Sequence, residues 1–135
     1  MPVILPLVVS GAFLGSVRPN KELKVVADQF GSPTYAKDLA GFLASLVGSP
    51  LYGIYHYTNA GSCSWHEFAK LIIETAGRKD VTVKPISTDD WPTPTKRPKY
   101  SVLRHYKLEL LGRDDARPWQ DAVAEFVREW TTARQ

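Results

Sequence analysis

The sequence predicts an α/β domain, and three observations carry that expectation. Short β-rich runs at residues 23–26, 52–57 and 81–86 alternate with segments whose apolar residues recur at helical spacing. Two of those helical stripes end on glycine, at Gly48 and Gly77, where a chain can close a helix through a left-handed turn. The 135 residues are enough for one domain with a real core and too few for two ordinary ones. A hydrophobic content of 44% with 23% charged residues belongs to globular chains and excludes disorder, collagen and coiled coil.

Residues 1–17 carry no charge before Arg18. The stretch is shorter than the ~20 apolar residues of a spanning helix, and Pro6 interrupts it. A secretory signal needs a basic region ahead of its apolar run, which is lacking, so neither export nor membrane insertion is expected. Residues 1–20 are therefore read as an atypical apolar N-terminus ahead of a domain at residues 21–135. They are either a buried element or a start whose natural upstream neighbour is missing.

LKVV at 23–26 reads as a strand entering the polar loop 28–33. From Tyr35 to Val47 the period becomes helical, with Leu39, Phe42, Leu43, Leu46 and Val47 on one stripe. YGIYHY at 52–57 is β-rich and uncharged, which predicts a second strand. Ser64 and Glu67 then form a capping box ahead of a stripe of Trp65, Phe68, Ala69, Ile72, Ile73 and Ala76. Val81, Val83 and Pro85 alternate with Thr82 and Lys84 in a third strand. Residues 87–98 are irregular, rich in Pro, Thr and Asp. A short helix follows at 106–111. Pro118 opens the last helix at a favoured first-turn position, with Trp119, Ala122, Val123, Phe126, Val127 and Trp130 on one face.

The formal net charge of +3 is too small to argue nucleic-acid binding, but it suits a partner carrying a few phosphates. One cysteine excludes an internal disulfide and fits a reducing cytoplasm. Cys63 and His66 have metal-pair spacing, yet His56 and His105 add no third ligand, so no metal is expected. No base accompanies Cys63 to make it a nucleophile. Asp89 and Asp90 in a Pro-rich loop are expected to form a turn rather than an acid–base pair. The tyrosines of 52–57 are read as core packing and not as a platform for nucleic acid.

Neither a Gly-x-Gly-x-x-Gly string nor a Tyr-x-x-x-Lys pair is present. Two loops remain. Residues 28–34 present polar groups and Gly31 at a strand-to-helix junction, where a helix start can face an anion. Lys96, Arg97 and Lys99 place three cations on a loop stiffened by Pro98, and an arginine can hold two phosphate oxygens at once.

Read together, these segments resemble one family. Leu23-Lys24-Val25-Val26-Ala27-Asp28-Gln29-Phe30-Gly31-Ser32-Pro33-Thr34-Tyr35 with Asp38-Leu39-Ala40 is similar to the middle of dTDP-4-dehydrorhamnose reductases, which are extended short-chain dehydrogenase/reductases. Tyr55-His56, Asn59, Gly61 and Ser64-Trp65-His66-Glu67-Phe68-Ala69 resemble the family's next segment. Arg97-Pro98, Ser101-Val102-Leu103 and Lys107-Leu108 resemble a third, and Arg117-Pro118-Trp119 with Ala122 and Val123 the closing helix. Tyr100 and Arg104 depart from the pattern, which has Asn and Asp there.

The resemblance implies the sugar-nucleotide-binding part of such an enzyme without its dinucleotide-binding half. In the complete enzyme it implies hydride transfer from NADPH to C4 of dTDP-4-dehydro-L-rhamnose. This chain is expected to hold no cofactor and no catalytic residue, and to be inactive alone. The resemblance implies a dTDP-sugar as ligand, with Arg97 on the diphosphate and Gln29, Gly31 and Thr34 in the loop at the sugar or nucleotide rim. A second copy or a separate dinucleotide-binding half is the expected protein partner. A non-catalytic binding or regulatory module, as in a methionine adenosyltransferase regulatory subunit of similar sequence, and an inert gene remnant stay open beside it.

Overall fold

The computed structural model describes residues 21–91 and 97–133, together with Leu14. The elements run β1 (Glu22–Val26), β2 (Phe30–Gly31), α1 (Ala36–Leu46), β3 (Cys63–Ser64), α2 (Trp65–Thr75), β4 (Thr82–Ile86), α3 (Tyr106–Leu110) and α4 (Trp119–Thr132). β1 and β4 pair in parallel, from Glu22 opposite Thr82 to Val26 opposite Ile86. Parallel strands need a crossover, and its last leg is α2, which packs on both of them. Pro85 is tolerated in β4 because its nitrogen faces the edge away from β1, where no strand among the described residues requires an N–H. β2 and β3 form a second, antiparallel pair, with Phe30 opposite Ser64 and Gly31 opposite Cys63. At two residues each they are too short to carry a periodic signal.

The capping box at the start of α2 forms as expected. The Glu67 N–H donates to Ser64 Oγ at 3.1 Å, and the Ser64 N–H donates to the Glu67 carboxylate at 2.7 Å. Gly77 ends this helix at φ +70, a conformation that costs glycine little. α2 turns Phe68 and Ile72 toward Trp119, Val123 and Val127 of α4, and with Cys63 they form the main core. Leu14 packs against the same cluster. The expectations placed on the rest of residues 1–20, and on Lys96, lie outside the described residues.

Pro118 sits one position earlier than expected. It is the N-cap of α4, at φ −54 and ψ 140, and not a residue of the first turn. Ala60 and Pro118 form a β-bridge, with the Trp119 N–H donating to the Ala60 carbonyl at 3.1 Å, and this holds the approach to the helix extended.

α1 forms where its period places it, but its apolar stripe does not enter a core. None of its residues is buried, and Leu43 is 53% and neighbouring Val47 84% exposed. Tyr35, just before the helix, is the residue that goes inside, against Ala122 and Phe126. Polar contacts tie α1 to α4. Arg117 pairs with Asp38 at 2.8 Å and with Glu125 at 2.6 Å, while Lys37 pairs with Glu125 at 2.7 Å and Glu129 at 2.8 Å. Lys37, and Arg117 after it, hold the Glu125 carboxyl down to about 2.

The strand expected at 52–57 is not there. The segment runs without a ladder partner among the described residues, and Tyr52 and Ile54 are 87% and 83% exposed. Aromatic and β-branched composition favours a pleated surface only where another strand lies alongside. Here rings take over: Tyr57 stacks on Phe42 of α1 at 4.3 Å between centroids, and His105 lies parallel on Tyr57 at 5.9 Å. Lys107 donates to the Tyr52 carbonyl and lies 4.3 Å from the centre of the Tyr55 ring. Among the described residues no helix is long and apolar enough to cross a membrane.

Candidate functional site

The end of β1 is fastened to the end of β4 by a single carboxylate. Asp28 accepts from the Thr88 N–H at 2.9 Å and from its hydroxyl at 2.6 Å, and that hydroxyl bond is the main cause holding the Asp28 carboxyl below its usual range. Gln29 follows, 9% exposed, with its amide Nε2 donating to Thr88 Oγ1 at 3.1 Å. Phe30 then anchors the loop that carries Arg97. Its N–H donates to the Lys99 carbonyl at 2.8 Å, and its own carbonyl accepts the Ser101 N–H at 2.9 Å.

The result is a cavity of about 220 Å³ walled by residues 24–26, Gln29, Trp65, Ile86, Trp91 and Arg97. Pockets that enclose a whole small-molecule ligand run to roughly 300–1,000 Å³, so this one is sized for part of a larger ligand. Arg97 is exposed and makes no ion pair with any described residue. Its guanidinium is free to fork across two anionic oxygens. Val25, Val26, Ile86 and the two indoles add apolar surface to the same walls. The combination suits a ligand with a phosphate at one end and an apolar body at the other.

Gln29 and Arg97, far apart in sequence, are thus brought to one cavity. Gly31 and Thr34 are not among its walls. Gly31 is paired through its backbone with Cys63, and Thr34, 5% exposed, donates its hydroxyl to the Ser32 carbonyl at 3.4 Å. The helix start after this loop already meets one polar acceptor and one carboxylate. The Tyr35 N–H donates to Asn59 Oδ1 at 2.7 Å, and Asp38 supplies the negative charge of the first turn. The cations of the basic loop are not equivalent: Lys99 lies 3.9 Å from an Asp28 oxygen, whereas Arg97 has no such partner.

Burial, and secondarily Glu67, pushes the Cys63 thiol up to about 12, which leaves it protonated and inert at neutral pH. Asp90 is a turn former, accepting the Ser87 N–H at 3.1 Å and the Ser87 hydroxyl at 2.9 Å. Among the described residues no group of three or more His, Cys, Asp or Glu is placed to hold a metal. A second cavity, about 320 Å³, lies between residues 58–62 and 102–105. Its arginine is already matched, Arg104 with Glu109 at 2.6 Å, and the His105 ring is taken up between the Thr58 N–H at 2.9 Å and Asp114 at 2.8 Å. It therefore competes poorly for a phosphate.

Sequence reasoning missed Trp91, Lys24 and Ile86 as cavity walls and assigned Trp65 only to a helix stripe. The signal for Trp91 was a large aromatic stranded among turn formers two strides before Arg97, where it has no stripe to join.

The fold and this cavity can be set beside known proteins. The family model described as RmlD substrate binding domain matches residues 10–132. The Bacillus subtilis spore coat polysaccharide biosynthesis protein SpsK is 43% identical over 114 residues, covering 84% of this chain and 39% of that protein. The dTDP-4-dehydrorhamnose reductase of Mycolicibacterium smegmatis is 39% identical over 106 residues, covering 78% and 32%. The crystal structure of the Clostridium acetobutylicum dTDP-4-dehydrorhamnose reductase superposes with a TM-score of 0.85 at 40% identity, covering 90% of this chain and 43% of that one. The Bacillus anthracis enzyme, solved in complex with NADP, gives 0.84 at 41% identity, covering 89% and 42%. The chain therefore spans about two-fifths of the length of these relatives. Likeness of this extent, in sequence and in fold together, means that the chain belongs to the RmlD substrate binding domain family.

Proposed function

We propose that this chain is the sugar-nucleotide-binding portion of an NADPH-dependent dTDP-4-dehydrorhamnose reductase, acting in the cytoplasm on the route to dTDP-L-rhamnose. The observation that carries the reading is the convergence of Gln29 and Arg97, each from a different family-like segment, on one cavity with an unpaired guanidinium. Arg97 grips the diphosphate, and Gln29 offers its amide to the nucleotide or sugar. Binding energy gathered there positions the 4-keto carbon for hydride arriving from NADPH, so residues remote from the reaction lower its barrier. Gly31 and Thr34 serve by fixing the backbone on which Gln29 is presented.

The cofactor does not fit the described residues. A dinucleotide pyrophosphate is held at a glycine-turned helix start with open N–H groups. The start of α2 is filled by the Glu67 carboxylate of its own capping box, and that of α1 carries the Asp38 carboxylate, which opposes a second anion. NADPH would be held by a separate dinucleotide-binding half, and the exposed stripe of α1 with residues 51–54 is the surface proposed to meet it.

Calorimetry with dTDP tests the ligand. Arg97→Ala should cost roughly 1.5–3 kcal/mol of affinity, the range for bonds to charged groups, and Lys99→Ala distinctly less. Equal small losses at both would mean a diffuse basic surface and no diphosphate clamp. The purified chain should also show no NADPH oxidation with dTDP-4-dehydrorhamnose above a blank. Turnover by the chain alone would refute the assignment of the cofactor to another half.

A further inference from the structure

Trp91 has no role yet. It is 56% exposed, lies on a turn in which its N–H donates to the Thr88 carbonyl at 3.2 Å, and makes no ring contact with any other described residue. More than half of a large apolar side chain is thus left in water on the wall of a cavity. That is a costly place for an indole whose only work is packing. Its position is nonetheless well fixed. Thr88, three residues before, is the hub that Asp28 and Gln29 both bond, and Asp90 closes the turn through Ser87.

On the same cavity stand Arg97, which has no carboxylate partner, and Gln29, whose Oε1 accepts from no described donor. An indole face, an open amide acceptor and an unpaired guanidinium match the three parts of a pyrimidine nucleoside diphosphate: a flat ring, an imide N–H and a diphosphate. The limited volume agrees, since it accommodates a nucleobase end and leaves the sugar outside.

We infer that Trp91 is the stacking face for the nucleobase, with Gln29 Oε1 as acceptor for the ring N–H, a refinement that rests on the sugar-nucleotide reading above. Thymine and uracil carry the N–H that this acceptor takes, whereas cytosine presents a lone pair there. The turn at residues 87–91, together with Gln29, then sets which nucleotide is bound.

The test uses the whole chain with dTDP and dCDP as probes, followed by calorimetry and tryptophan fluorescence. Trp91→Ala should weaken dTDP binding about tenfold, within the range of losing one base stack, and Trp91→Phe should stay within about threefold of the parent. dTDP should quench the parent's fluorescence, and Trp91→Phe should lose most of that quench while still binding. The parent should prefer dTDP to dCDP, and Gln29→Leu, which removes the acceptor, should erase the preference. Unchanged dTDP affinity in Trp91→Ala, with Arg97→Ala still impaired, overturns the stacking role and leaves the nucleotide reading standing. Equal affinity of the parent for dTDP and dCDP overturns the Gln29 assignment. No binding of dTDP by the parent chain overturns both readings.

Discussion

Replacing Ile72 by alanine is expected to remove about 2–5 kcal/mol of stability, a large part of the ~5–15 kcal/mol that holds a domain together. Ile72 is fully buried where α2 meets α4, among Phe68, Trp119 and Val123, so the lost methyl groups leave a cavity that rigid neighbours cannot refill. The same chemistry on α1 should behave differently. Val47→Ala removes apolar atoms that are already in water and should stay within about 0.5 kcal/mol. Urea unfolding of the two variants separates these cases. Similar losses at both positions would show that α1 also carries core and that the division described above is wrong.

Self-association of the purified chain is the second large effect expected. Leu43, Val47, Leu51, Tyr52 and Ile54 lie close in sequence and are all exposed. Burying about 400 Å² of such surface is worth ~10 kcal/mol at ~25 cal/mol per Å². Association itself costs ~4–15 kcal/mol, so the balance favours dimers or larger species only toward high micromolar concentration. Light scattering across that range should show growth in mass, with binding of a hydrophobic dye that falls as the mass rises. Val47→Lys with Ile54→Lys should return the chain to a monomer without altering dTDP affinity. A dye-silent monomer at all concentrations would count against the exposed stripe as a docking surface. The driving force is side-chain area and not an open strand edge, because residues 52–57 form no strand.

Legibility followed the range of the interactions. Helix starts and stops were readable because a capping serine, its glutamate three residues on and a closing glycine act within one turn of chain. β1 and β4 were readable from their apolar runs, but their pairing depends on contacts across sixty residues and left no local mark. Residues 52–57 misled for the same reason: propensity is local, while a strand needs a neighbour. The stripe on α1 was legible as a stripe, but periodicity defines a face and says nothing of what covers it. Of the residues that line the candidate cavity, Gln29 and Arg97 were named through resemblance to a family, whereas Trp91 sat in a stretch without any period.

The two ways in which helices are attached here respond oppositely to ionic strength. α1 hangs on α4 through charges, and its outer member Lys37 is 61% exposed, so the ~10 Å screening length at 0.1 M salt shrinks to ~3 Å at 1 M and weakens that attachment. The seam between α2 and α4 is apolar, and salts such as sulfate tighten it. A concentrated sulfate solution therefore loosens the arm that presents the exposed stripe while firming the body that presents Arg97 and Gln29. The proposed docking face and the proposed nucleotide cavity thus rest on attachments that the solvent adjusts separately.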